Sequence, residues 1–151
     1  MTALPEREPN GLRVLDLFCN AGGAAMGYYL AGYDVVGVDI AYQPNYPFHF
    51  TETDALGLLL MLSLEDVDLI HASPPCQYGA AITKGTNRHL RDKYADLYSR
   101  TRGLLEQTGK PFVIENPDAR PDVVLCGEMF GLDVIRHRNI ELGGWATEKP
   151  E

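Results

Sequence analysis

Cysteine is scarce in this chain: Cys19, Cys76 and Cys126 are its three thiols, widely spaced and without a C-x-x-C pair. An odd, scattered set excludes a disulfide framework and offers no zinc-ligand spacing, so reduced thiols and no metal are expected. Long hydrophobic runs are missing as well. No stretch approaches the roughly 20 apolar residues that a bilayer span requires. The opening MTALPEREPN lacks the basic-then-apolar pattern of a secretory signal. A cytosolic protein with no membrane partner is therefore expected. Positive charge is in short supply too, with 13 Lys+Arg against 21 Asp+Glu and a net charge of -8. That balance excludes the uniformly basic surface of a simple nucleic-acid binder. Repeats, low-complexity tracts and internal linkers are absent. A chain of 151 residues with 45% hydrophobic content then reads as one domain spanning 1–151, with residues 1–11 as a polar leader.

The charge that is present is unevenly spread. Between Lys84 and Arg102 lie six of the basic residues (Lys84, Arg88, Arg91, Lys93, Arg100, Arg102) against Asp92 and Asp96. This segment is positive while the remainder of the chain is strongly negative, so it could face a polyanion or be a solvated helix face.

Hydrophobic patterning predicts an alternation of strands and helices. Arg13–Phe18 reads as a buried strand entering the turn Cys19-Asn20-Ala21-Gly22-Gly23, and a helix over 24–31 is closed by Gly32. Asp34–Ile40 is a second buried strand. The aromatic, proline-broken stretch 42–50 is expected to be a loop packed on the sheet edge. A leucine-rich helix over 55–63 follows Asp54, and the strand 67–72 runs into Ser73-Pro74-Pro75-Cys76. The two prolines leave little backbone freedom before that cysteine. A helix over 92–107 precedes the strand Phe112-Val113-Ile114-Glu115-Asn116, and residues 123–131 and 134–142 suggest an edge hairpin or a turn plus strand. The fold class expected is α/β: a Rossmann-like, mostly parallel sheet with helices on both faces.

In such sheets ligands bind at the carboxyl ends of the strands. Four predicted strand ends carry polar or nucleophilic groups there: the Gly22-Gly23 turn, Asp39, Cys76 and Glu115-Asn116. Small residues in the first turn admit a ligand close to the backbone, and Asp39 is placed to accept from ribose hydroxyls, so an adenosine-containing ligand fits. Asp54 is either the N-cap of its helix or a contact to an adenine amino group.

Taken in order, these positions resemble the DNA (cytosine-5) methyltransferase family, in a short form similar to those of phages and their bacterial hosts. Asp16-Leu17-Phe18 with Gly22-Gly23 resembles the family's S-adenosylmethionine loop, Asp39 its ribose acid and Asp54 its adenine contact. Pro75-Cys76-Gln77 resembles the nucleophile motif, Glu115-Asn116 the paired acid and amide, and Arg136-His137-Arg138 the Arg-x-Arg that meets the target base. The resemblance implies S-adenosylmethionine as cofactor, held by Asp16, Phe18, Asn20, Gly22, Gly23, Asp39, Ile40, Asp54, Ala55 and Pro75. It implies a catalytic set of Cys76, Glu115, Arg138, Arg136 and Asn116. DNA would be met by Gln77, Lys84, Arg88 and Arg91.

The implied chemistry is methyl transfer to C5 of a flipped or single-stranded cytosine. The Cys76 thiolate adds to C6, a buried Glu115 with a raised pKa stabilises the adduct at N3, and Arg138 with Arg136 binds O2. The chain departs from the family pattern at Asn20 (usually glycine), Pro117 (usually valine) and Asp39 (often glutamate). Thirteen residues follow Arg138, so a separate target-recognition region and the final cofactor-covering motifs have no counterpart. The expectation is a minimal enzyme, a truncated one, or one that uses a second copy or partner chain for target recognition. Two rival readings remain. Ser73-Pro74-Pro75 also resembles the motif of DNA amino-methyltransferases, with Cys76 in place of their aromatic residue, and a degenerate fold could serve as a non-catalytic cofactor- or DNA-binding subunit.

Overall fold

The computed structural model describes residues 4–61, 63–76 and 95–146. Seven strands and three α-helices follow one another along the described chain, with a short 3-10 turn at Gly127–Phe130 between the last two strands. They are β1 (Arg13–Leu17), α1 (Gly23–Leu30), β2 (Asp34–Asp39), β3 (His49–Glu52), α2 (Ala55–Met61) and β4 (Leu69–Ala72). After these come α3 (Leu97–Thr108), β5 (Phe112–Glu115), β6 (Val123–Cys126) and β7 (His137–Gly143). The strands form one sheet in the order β3-β2-β1-β4-β5-β7-β6. The first five are mutually parallel, and β7 lies antiparallel between β5 and β6.

Alternation along the strands decides which side chains meet which helices. Leu15 and Leu17 of β1 join Ile70, Ala72, Phe112 and Ile114 in a core closed by Ala55 and Leu59 of α2 and Leu105 of α3. The opposite face carries α1, whose Ala25 packs with Val35 and Tyr46. Asp96 starts α3 as its N-cap, accepting from the Ser99 amide, and Gly109 with φ 67 ends it. The leader is tied down: Arg7 pairs with Asp34 at 2.6 Å and lies over the Tyr29 ring. None of the described helices is long and apolar enough to cross a membrane.

One expectation needs correction. The stretch 42–50 is not a loop throughout, because His49 and Phe50 open the edge strand β3. Its Tyr46 is buried and lies against Gly37 of β2 rather than at the sheet margin. The hairpin expected at the end of the chain exists as β6 and β7 at the sheet edge, with β7 beside β5 and β6 outermost. Smaller shifts affect β4, which begins at Leu69, and α3, described from Leu97.

Candidate active site

The parallel strands β1, β2, β4 and β5 all end on one rim of the sheet, and antiparallel β7 begins there. Residues beyond the ends of β1 and β2, and Asp54 after β3, make one half of that rim. In the turn after β1, Phe18 (φ 58) and Asn20 (φ 47) adopt left-handed backbone that non-glycine residues enter at a cost, and Gly22 has φ 86. The turn is held from below, since Cys19 donates its amide to Val38 and Gly22 donates to Cys19. Asp39 braces it from the side. One carboxylate oxygen accepts from the Asn20 amide at 3.0 Å, and the other accepts from Ala41 at 3.1 Å.

Ile40 follows Asp39 and is 74% exposed. An open apolar side chain beside a carboxylate with lone pairs to spare and a turn of exposed backbone fits the adenosine end of S-adenosylmethionine. Asp54 caps α2, its Oδ2 accepting from the Gly57 amide at 2.8 Å. Ala55 is buried at the first position of α2, while Gly23 opens α1.

The other half gathers around β4 and β5. Ser73 donates its amide to Leu17 and its hydroxyl to the Phe18 carbonyl at 3.2 Å, which joins the Ser-Pro-Pro-Cys turn to the first turn. Pro74 is buried, Pro75 is exposed and Cys76 presents its thiol to solvent. Asn116, buried just past β5, donates its Nδ2 to the Pro74 carbonyl at 3.0 Å and accepts the Asp118 amide on Oδ1. Next to it, Glu115 stands 3.2 Å from the Nε of Arg138 on β7.

Glu115 was expected to be buried; its side chain is instead 32% exposed. It is the last residue of β5 and faces the open rim, so the sheet covers it on one side only. Arg136 is exposed one residue before β7 begins. The structure therefore brings Cys76, Glu115, Asn116 and Arg138 to adjoining strand ends. Gln77, Lys84, Arg88 and Arg91 lie outside the described residues.

Beneath the first turn sits a polar group that sequence reasoning used differently. Asp16 is buried at 1% exposure on the α1 face, with Oδ2 accepting from the Tyr46 hydroxyl at 3.4 Å. Burial, opposed by that hydroxyl and reinforced by Asp39, pushes its carboxyl up to about 7. It therefore lies under the turn 18–23 rather than open to a ligand. Its neighbour in the β1–β4 register is His71, whose Nδ1 meets the Tyr28 hydroxyl at 3.1 Å and whose burial lowers it to about 4. Sequence reading missed Tyr46 and His71 as members of this cluster. A signal for Tyr46 was present in Gly37, a glycine within an apolar strand, which often marks close approach by another group.

On the α3 face of β7, Glu141 is buried and accepts from Tyr98 at 2.5 Å and from Arg102 at 2.6 Å. This clamp fixes the strand that carries Arg138.

No protein-family model matches the chain. It is 31% identical over 139 residues to the Type II methyltransferase M.XorII of Xanthomonas oryzae pv. oryzae, an overlap covering 82% of this chain and 30% of that protein. The chain spans less than a third of the length of the curated relatives it matches. Among solved structures it is similar to a triple mutant of Spodoptera frugiperda DNMT2, with TM-score 0.58 and 18% identity, covering 85% of this chain and 48% of the other. It is also similar to a SAM dependent methyltransferase from Archaeoglobus fulgidus, with TM-score 0.50 and 19% identity, covering 74% and 48%. The fold is the Rossmann-like fold of S-adenosylmethionine-dependent methyltransferases.

Proposed function

We propose that this chain is a DNA methyltransferase that transfers the methyl group of S-adenosylmethionine to C5 of cytosine, with Cys76 as nucleophile. The observation that carries the reading is the convergence of three groups on adjoining strand ends: an exposed thiol after β4, a carboxylate at the end of β5 and a guanidinium 3.2 Å from that carboxylate on β7. The similarity to a Type II methyltransferase and the methyltransferase fold support it.

Cytosine C5 is a weak nucleophile, and addition of a thiolate to C6 pushes electron density onto it. In this reading the Cys76 thiolate forms the bond to C6, and Glu115 shares a proton with ring N3, where the displaced charge collects. Arg138 meets the base O2 while its Nε keeps Glu115 in place, so one guanidinium orients both partners of the ring. Asn116 holds the turn that presents Cys76. S-adenosylmethionine, when bound, supplies the electrophilic methyl group, and Asp39, Ile40 and the turn 18–23 hold its adenosine end, with Asp54, Ala55 and Pro75 at the margins. A water molecule from the open rim takes the C5 proton of the methylated adduct, and the C6–Sγ bond breaks with its electron pair returning to Cys76. Because a stacked base shields C6, the cytosine is flipped or single-stranded when attacked. The basic segment that includes Lys84, Arg88 and Arg91, together with Gln77, contributes the contacts to DNA.

Covalent trapping tests this. Wild-type protein with S-adenosylmethionine is expected to form a stable adduct on DNA containing 5-fluorocytosine, and Cys76→Ala none; undiminished trapping by the variant would falsify the assignment of Cys76. Running labelled-methyl transfer on duplex DNA, single-stranded DNA and deoxycytidine nucleotide in parallel identifies the substrate. Product analysis separates C5 methylation from amino-methylation.

A further inference from the structure

The loop between β6 and β7 places large apolar side chains in water beside the site just described. Met129, Phe130, Leu132, Val134 and Ile135 are all exposed within seven residues, Phe130 at 61% and Ile135 at 72%. Because β6 runs in the same direction as β5, this loop leaves the sheet on the rim that carries Cys76 and Glu115. The loop is internally braced. Gly131 donates to Glu128, Leu132 to Gly127, and Val134 to Leu132 at 2.7 Å, while a side chain at Gly127 would run into Val134. It then passes directly into exposed Arg136 and to Arg138 at the ion pair with Glu115.

An apolar projection on a firm base, ending in an arginine and bordering the base-binding rim, has the composition of a wedge that enters a nucleic-acid stack. Resting on the cytosine-5 reading above, we propose that Ile135, with Phe130 of the same loop, inserts into the duplex next to the target and fills the gap left by the flipped cytosine, while Arg136 contacts the flanking phosphate. A protein partner seated on the same residues would instead cover the rim through which a base must enter. Glu128 and Asp133 balance Arg136 and Arg138, so the apolar tip itself adds no net attraction for phosphate. Removing it should leave the salt dependence of binding unchanged.

The experiment uses the full chain carrying Phe130→Ala and Ile135→Ala together. It compares 5-fluorocytosine trapping rates on three substrates: a paired duplex, a duplex with an abasic site opposite the target, and single-stranded DNA. The double variant is expected to lose about tenfold or more on the paired duplex, where unstacking has to be compensated, and to match wild type on the two substrates whose target is already free. Equal loss on all three substrates, or no loss on the paired duplex, overturns the wedge. So does a change of oligomeric state in sedimentation with the substrate pattern unaltered, which would mark the loop as a protein interface. Absence of trapping by the wild type on every substrate overturns the cytosine-5 reading itself, and the wedge with it.

Discussion

Asn116 ties the end of β5 to the carbonyl of Pro74, two residues before Cys76, through a buried hydrogen bond of 3.0 Å. Its other side-chain atom accepts the Asp118 amide, so the group is satisfied on both sides. The position of the thiol is thereby linked to the strand that carries Glu115.

Asn116→Ala leaves the Pro74 carbonyl without its donor in a buried site, at a cost of about 1–3 kcal/mol. Thermal unfolding should register that loss. Covalent trapping should fall much further than cofactor affinity measured by calorimetry, because the clamp supports the turn of Cys76 and not the cofactor turn. A variant that traps cytosine at the wild-type rate would remove Asn116 from the machinery.

Arg138 offers the opposite split. The ion pair with Glu115 is half-exposed on both sides, Arg138 at 43% and Glu115 at 32%, and such solvent-accessible pairs contribute below about 1 kcal/mol. Arg138→Ala should therefore melt close to wild type while losing on the order of 100-fold in trapping rate, as expected when a group that stabilises developing charge is removed. A large drop in melting temperature with trapping preserved would make the pair structural.

Asp16 and His71 predict an unusual pH profile. They are register partners across β1 and β4, and among the described residues Asp16 Oδ1 and His71 Nε2 are both buried without a hydrogen-bond partner. Burial raises Asp16 from 3.8 to about 7, so between those values the native state holds a proton that the unfolded chain has lost, and stability falls as pH rises. Burial lowers His71 from 6.5 to about 4, so in that window the unfolded chain holds the extra proton, and stability rises with pH. Each slope amounts to at most about 1.4 kcal/mol per pH unit. From about pH 4 to 6.5 the two oppose each other. Urea denaturation of Asp16→Asn should reveal a stability that climbs with pH relative to wild type, and His71→Gln one that declines. Two variants with the wild-type slope would show that neither group titrates as described.

The parts of the fold legible in the sequence are those whose signal is local. Apolar runs ending in turn residues mark β1, β2, β4 and β5, and their polar ends mark the rim. The edge strand β3 carries no such run, since His49-Phe50-Thr51-Glu52 follows a proline and buries little. The insertion of β7 between β5 and β6 depends on pairings with residues distant in sequence. Its two buried or half-buried charges, Arg138 and Glu141, interrupt the apolar pattern because each has a partner elsewhere, Glu115 for one and Arg102 with Tyr98 for the other. The candidate site residues Cys76, Glu115 and Arg138 carry motifs that single them out in the sequence, whereas the clamp of Asn116 has none: its acceptor is a backbone carbonyl, which no residue type announces.

Tyr46 supplies the last test, because one side chain joins three strand-end features. Its hydroxyl reaches Asp16 below the cofactor turn, and its ring lies on Gly37 of β2 and against Gly22. A Cβ on Gly37 would stand within 2.5 Å of Tyr46 Cε1 and Oη, and one on Gly22 within 3.0 Å of Cδ2. Gly37→Ala must therefore expel the ring from its place, at about 1–3 kcal/mol or more, as overpacking does in a closed core. Since the expelled ring also leaves Asp16 and the turn 18–23 without their brace, the affinity for S-adenosylmethionine should drop with the stability. Tyr46→Ala opens the space that the new methyl needs, so adding Gly37→Ala to it should cost far less than Gly37→Ala costs alone. The coupling between the two positions, read from a double-mutant cycle in urea, should exceed about 1 kcal/mol. Simple additivity would mean that Gly37 and Tyr46 do not share the contact.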